Sequence, residues 1–181
     1  MIHPLSYKSG LIAAAITIAY TLIAYLVGIE LFTNFWIPML IIFGILVYLI
    51  LSLKKVRESL GTMSFQEGFL NFAVMAAIYV FVSQLFNFLL LNVIDPEFGV
   101  TVNDAIIEKA IGMMERFGAP ENEIEKALVE MENDFESQKS FGGAIWAWIK
   151  FYGFFVIVGL IVAAVMKTKK PEFSISAEEV E

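Results

Sequence analysis

Residues 64–96 read SFQEGFLNFAVMAAIYVFVSQLFNFLLLNVIDP. The part from Leu70 to Ile94 has no charged residue and exceeds the ~20 residues that a helix needs to cross ~30 Å of hydrocarbon. Proline at position 96 disfavours helical geometry at the residue before it, so we expect the helix to end near Asp95. This stretch therefore predicts a transmembrane helix with a defined end.

Three further stretches have the same character and predict three more transmembrane helices: Leu11–Ile29, Phe35–Leu53 and Ala144–Met166. The first is expected to be retained, because its apolar run exceeds the ~7–15 residues usual in a signal peptide and no cleavage signal follows. Hydrophobic residues make up 59% of the 181 residues. Soluble domains have ~45–50%, and the excess lies in these four blocks. The sequence therefore predicts an all-α integral membrane four-helix bundle.

The basic residues that flank these spans share one side of the membrane in any alternating topology. They are Lys8 before the first span, Lys54, Lys55 and Arg57 between the second and third, and Lys167, Lys169 and Lys170 after the fourth. Short cytoplasmic loops carry the excess of Lys and Arg in membrane proteins. We therefore expect a multi-pass protein of the bacterial inner (cytoplasmic) membrane with both termini in the cytoplasm and with segments 30–34 and 95–143 outside.

The segment between the third and fourth spans is acidic and patterned. Residues 95–140 carry twelve acidic residues and four basic ones. Apolar residues at helical spacing predict one helix over Asp104–Phe117 and a second from Pro120 to about Ser137, with Gly118 as the stop between them. The predicted division is three spans in 1–94, an extracytoplasmic acidic helical hairpin in 95–143, a fourth span in 144–170 and a disordered acidic tail in 171–181.

The apolar stripes of the two hairpin helices have two interpretations. They pack on each other and on the membrane surface, or they form a partner-binding surface in which Met113, Met114 and Met131 adapt to the partner.

Ser64 and Glu67 have the spacing of a capping box, in which serine caps the helix and glutamate three residues later bonds back to it. The alternative is that Glu67 is an acid at the membrane edge that handles ions or protons. The spacing alone explains both residues, so the capping box is the preferred interpretation.

One face of the third span is polar. Ala73, Ala77, Val80, Gln84 and Asn87 recur at steps of four and three, with Ser83 and Asn92 beside them. Amides on such a face bond to neighbouring helices, or they line a path for a solute or ion. Small residues at Gly10, Ala14, Gly153 and Gly159 predict close helix packing, either within the bundle or between two copies.

Lys150 is the only charged residue inside a predicted span. It lies about one turn deeper than Trp146, which we expect at the headgroup level together with Trp36 and Trp148. One interpretation is that its side chain extends back to water. The other is an interfacial ion pair with Asp95, with Glu97 or Glu30 as substitutes, because a negative charge is disfavoured at the C-terminal end of a helix.

Several kinds of function have no support in the sequence. Without cysteine there are no disulfides, thiol catalysis or cysteine metal sites. The acidic balance disfavours nucleic acid as a partner. His3 is the lone histidine and is expected to be a disordered terminal residue. We find no pattern for catalytic, cofactor-binding or metal-binding residues, and we expect a protein that is not an enzyme.

The entry Ser64-Phe65-Gln66-Glu67-Gly68-Phe69 and the exit Ile94-Asp95-Pro96-Glu97 of the third span carry a family resemblance. The chain resembles the domain-of-unknown-function family 4199, four-helix membrane proteins found mainly in Bacteroidota. Its members have similar S-F-x-E and I-D-P-E motifs and a helical outer segment before the last span. The resemblance covers nearly the whole chain and implies architecture and location, but no activity and no catalytic residues.

Two functions are compatible with these observations. The preferred one is a non-enzymatic membrane scaffold or interaction module that packs with a second copy or with another envelope protein. The alternative is a small oligomeric transporter or channel component that uses the polar face of the third span.

Overall fold

The computed structural model describes residues 2–168, so the tail predicted to be disordered, 171–181, lies outside the described residues. Within this range the chain is helical and has no strand. Its helices are α1 (Pro4–Val27), α2 (Ile29–Thr33), α3 (Trp36–Leu60), α4 (Phe65–Leu89), a π-helical turn (Leu90–Ile94), α5 (Pro96–Arg116), α6 (Glu121–Lys139) and α7 (Phe141–Met166).

Four of these helices are long and apolar enough to cross a membrane. They are α1 with 24 residues, α3 with 25, α4 and its π-helical turn with 30, and α7 with 26. The all-α fold with four candidate membrane helices is therefore confirmed. We call the end of the bundle where α1 begins and α7 ends the termini end, and the opposite end, which carries α5 and α6, the α5 end.

The helices begin and end at different residues from the apolar stretches. α1 begins at Pro4 rather than Leu11, because the His3 ring accepts a hydrogen bond from the backbone N–H of Leu5 at 3.2 Å. α3 continues to Leu60, past its basic residues. Hydropathy indicates the part of a helix that lipid covers, whereas caps determine where the helix ends.

α4 is the central helix and packs along α1 and α7, with α3 against its side. The core between them is formed by large side chains from three helices: Leu49 and Leu53 of α3, Phe72, Met75 and Tyr79 of α4, and Phe155 of α7. A Cβ atom at Gly10 would lie 2.7 Å from the Met75 carbonyl oxygen, and one at Gly159 would lie 2.7 Å from the Phe72 ring. Close packing at these two glycines is confirmed, and it lies within one chain.

A hydrogen-bond network centred on Asn71 holds the termini end together. Asn71 is fully buried. Its Oδ1 accepts bonds from the His3 backbone N–H and the Ser6 hydroxyl, both at 2.7 Å, and its Nδ2 donates to the Glu67 carbonyl at 2.8 Å. The His3 ring lies 3.2 Å from the Ser59 hydroxyl. The expectation that His3 is disordered was therefore wrong, because its backbone and ring join α1 to α4 and α3.

At the α5 end, α5 contacts α6, α2 and the π-helical turn, and α6 contacts α7. Asp95 Oδ1 caps α5 by accepting a bond from the Phe98 N–H at 3.0 Å, and Pro96 stands in the first turn. The first helix of this segment therefore begins at Pro96, and the predicted start at Asp104 was wrong. Gly118, whose φ is 73°, lies in the connection that follows α5, and α6 begins at Glu121, directly after Pro120.

Candidate functional site

A cavity of about 290 Å³ lies where α5 and α6 meet the bundle. Its walls come from α2, α4, the π-helical turn, α5, α6 and α7. We call it the amide cavity, because its polar lining residues are all carboxamides: Gln84, Asn87, Asn92, Asn103 and Gln138. No charged side chain is among the described residues that line it.

These amides retain hydrogen-bonding capacity. Asn87 Oδ1 accepts a bond from the Thr21 hydroxyl at 3.1 Å, which joins α4 to α1, and Asn92 Nδ2 donates to the Phe88 carbonyl at 3.3 Å. Across residues 2–168, the side chains of Gln84, Asn103 and Gln138 form no hydrogen bond with protein. Unpaired amides next to a cavity are available to water or to a ligand.

The apolar walls of the amide cavity are mainly aromatic. Phe32, Phe88, Phe135 and Trp148 line it. Trp148 packs edge-to-face on Phe88, with ring centroids 6.2 Å apart and an interplanar angle of 78°, and on Phe141 at 6.1 Å and 88°. This packing fixes the indole ring as a rigid wall. Trp148 is thus buried in the protein, whereas Trp36 and Trp146 are 66% and 62% exposed, as expected at the headgroup level.

A second, smaller cavity of about 210 Å³ lies deeper, between α1, α3, α4 and α7. Phe32, Gln84 and Asn87 line both cavities, so these three side chains lie between them. Gln84 is ten residues before Ile94, which places it roughly 15 Å along the helix from the α5 end. Ser83 lines the deeper cavity, where its hydroxyl donates to the Tyr79 carbonyl of its own helix at 2.6 Å.

The hypothesis of an ion pair at Lys150 does not agree with the structure. Among the described residues the ion pairs are Lys54–Glu58 and Lys139–Glu136, so Lys150 is paired with none of Asp95, Glu97 and Glu30. Asp95 uses its two oxygens elsewhere: Oδ1 caps α5 and Oδ2 accepts the Tyr25 hydroxyl at 2.9 Å.

The physical reason lies in the second helix that meets Asp95. The prediction considered only α4, whose C-terminal end disfavours a negative charge. The next helix begins at Pro96, and the positive end of its dipole favours the same charge. Asp95 therefore needs no lysine, and the Lys150 side chain is exposed.

Ser64 and Glu67 form the capping box that their spacing predicts. The Glu67 N–H donates to the Ser64 hydroxyl at 3.2 Å, and the Ser64 N–H donates to Glu67 Oε2 at 2.9 Å. The described part of the chain contains no group of three or more His, Cys, Asp or Glu placed to hold a metal ion.

The second candidate site consists of exposed apolar side chains on α5, on α6 and at the connection between them. Phe117, at the connection between the helices, is 84% exposed, and Met113 and Val129 are 40% and 50% exposed. Met114 and Met131, predicted for a binding surface, are half-buried. α6 has no buried residue, and its first turn carries Glu121 and Glu123. This surface combines exposed apolar side chains with an acidic surround.

Sequence reasoning identified only part of the amide cavity. The helical period of α4 predicts that Gln84 and Asn87 share one polar face, with Asn92 beside it. Asn103 and Gln138 come from α5 and α6, and no local pattern indicates that their side chains meet those of α4. Their only signal is that they are uncharged residues in an acidic segment.

Fold and site together define a helical integral membrane protein with an acidic two-helix segment before its last span. The chain belongs to a family described as protein of unknown function (DUF4199), whose family model matches residues 8–168. Neither the search of curated proteins nor the search of solved structures found a match.

Proposed function

We propose that this protein is a non-enzymatic interaction module of the bacterial inner membrane, in which α5 and α6 stand outside and bind another envelope protein. The observation that carries the proposal is the 84% exposure of Phe117 at the connection between α5 and α6, next to α6, which has no buried residue. Contiguous apolar patches with a polar rim are typical of interaction sites, and Phe117 is the proposed centre of one.

Charge supports the proposed orientation and the kind of partner. The basic residues Lys8, Lys54 and Lys167 belong to the termini end, the side that the positive-inside rule assigns to the cytoplasm. The acidic residues of α5 and α6 repel a second copy of the same surface and repel anionic headgroups. A partner with a basic, partly apolar surface is complementary to them.

Site-specific photo-cross-linking in cells of the natural host tests this proposal. With a photoreactive phenylalanine analogue at position 117, we expect one discrete adduct with a different protein. Changing Glu121, Glu123 and Glu125 together to lysine should remove the adduct, because complementary charge steers and holds the partner. The same analogue at Val165, which is 78% exposed on a membrane helix, is the matched control and should give no such adduct.

Each alternative outcome has a definite meaning. An adduct of twice the protein's own mass would identify a second copy as the partner. The same pattern at Phe117 and Val165 would contradict the proposal.

A small oligomeric transporter or channel component is the second candidate. Its support is that the two cavities meet at Gln84 and Asn87. These cavities lie within one chain and contain no charged residue among their described lining residues, so they offer a permeating ion no counter-charge.

A further inference from the structure

The amide cavity has the composition of a ligand site rather than of a packing defect. Its volume of about 290 Å³ is at the lower limit of ligand pockets, which span ~300–1,000 Å³ and combine apolar walls with a few polar groups. A packing defect of this size would be lined by apolar side chains and would be costly. Five carboxamides instead line this one space, and among the described residues Gln84, Asn103 and Gln138 donate or accept no side-chain hydrogen bond.

The local backbone also shapes the cavity wall. The last turn of the third span is π-helical, Leu90–Ile94, and it contributes Leu91 and Asn92 to the wall. The Asp95 N–H closes this turn by donating to the Leu90 carbonyl at 2.9 Å, as π-turns at helix C-termini do. Gly99 of α5 lies against the Leu91 carbonyl, where a Cβ atom would collide with the oxygen.

The lining selects the chemistry of the ligand. A charged head would be left unpaired, since the described lining residues carry no charge. Amides donate through N–H and accept through oxygen, so they match neutral carbonyl, ester or hydroxyl groups. Trp148 and Phe88 offer rigid apolar surface for the rest of the molecule.

The position of the cavity indicates where the ligand comes from. Gln84 lies roughly 15 Å along a membrane helix from its α5 end. The cavity therefore extends from the level of α5 and α6 into the membrane layer, where a lipid-soluble molecule is concentrated and a water-soluble one is not.

We propose that the amide cavity binds one small neutral amphiphile from the bilayer. The oxygen-bearing head lies among the carboxamides of Gln84, Asn87 and Asn103, and the apolar body lies against Trp148. A quinone and an uncharged glycerolipid share this chemistry. The proposal is independent of the partner proposed for Phe117.

Tryptophan fluorescence tests the proposal in the full-length protein, reconstituted in nanodiscs of phosphatidylcholine. Replacing Trp36 and Trp146 with phenylalanine leaves Trp148 as the only one of the three tryptophans. The two probes are decylubiquinone, which quenches indole emission, and dioctanoylglycerol, which should shift it to shorter wavelength. We expect a saturable response to one of them, and the probe that gives it identifies the source of the ligand.

Two variants show whether the response comes from the cavity. Gln84→Leu should weaken binding about tenfold by removing one hydrogen-bonding group. Ile106 lines the cavity and is 41% exposed. Ile106→Phe should fill part of the cavity and weaken binding while leaving all five carboxamides unchanged. Asn122→Leu, an exposed amide of α6 outside the cavity, is the matched control and should bind like the parent. Thermal unfolding of each variant verifies that it is folded.

Two results would overturn the proposal. One is a response to both probes that never saturates and that equals the response of a protein whose only tryptophan is Trp36. The other is a saturable response that neither Gln84→Leu nor Ile106→Phe changes.

Discussion

Replacing Gly99 with alanine is expected to destabilise the protein by roughly 3 kcal/mol, the upper part of the usual range for overpacking. The added methyl group would collide with the carbonyl oxygen of Leu91. The obstacle is backbone rather than a flexible side chain, so α5 must move away from the π-helical turn. The thermal unfolding midpoint of the purified protein in detergent measures the loss.

Gly112 provides a matched control in the same helix. A Cβ atom there would meet nothing within 4 Å. Alanine is the better helix former by ~1 kcal/mol, so Gly112→Ala should leave stability unchanged or raise it slightly. Equal midpoints for the two alanine variants would show that α5 does not approach the end of α4 as closely as described.

Replacing Asn71 with leucine is expected to cost roughly 2–4 kcal/mol, because one buried and one partly buried donor lose their acceptor at once. The His3 N–H and the Ser6 hydroxyl both donate to Asn71 Oδ1. Leucine has the same number of side-chain heavy atoms but bulkier ends, so overpacking at this buried position adds to the loss of hydrogen bonding. The unfolding midpoint should fall, and proteolysis near the start of α1 should become faster because His3 is no longer held.

Asn122→Leu is the control for this change, since Asn122 is exposed in the first turn of α6. Its effect should stay within about 0.5 kcal/mol, as for most surface substitutions. An Asn71→Leu protein as stable as the Asn122→Leu protein would contradict the role assigned to the network at the termini end.

Hydropathy was sufficient to predict the four membrane helices, because a long uncharged apolar run has few alternatives to a membrane span. It was not sufficient to predict their ends. α1 begins before its apolar run because the His3 ring caps it, and α3 extends past its run to Leu60. Capping depends on single side chains. The sequence therefore predicts a helix end only where a local motif, such as the capping box of Ser64 and Glu67, is present.

The error at Asp95 has a similar origin. The sequence shows that a helix ends there, and the electrostatic reasoning followed from that end alone. Proline at position 96 both stops one helix and suits the first turn of the next. Since the second helix begins immediately, Asp95 becomes its cap and also binds Tyr25.

The candidate site was predictable only where one helix carries it. Gln84 and Asn87 fall on one face of α4 by periodicity, and the structure places them between helices. Asn103 and Gln138 join them through the packing of α5 and α6 on the bundle, which periodicity does not determine. Trp148 shows the same limit, since two of its aromatic partners, Phe81 and Phe88, come from α4.

The proposed function depends most directly on which side of the membrane α5 and α6 occupy. The chain has no cysteine, so a single cysteine can be placed at will. The two test variants are Asn122→Cys in α6 and Lys55→Cys in α3. Both residues are exposed, and they lie at opposite ends of the bundle. In spheroplasts, a membrane-impermeant maleimide should label the cysteine at position 122 at once and the one at position 55 only after the membrane is opened. Labelling in the reverse order would place α5 and α6 in the cytoplasm and contradict their proposed role.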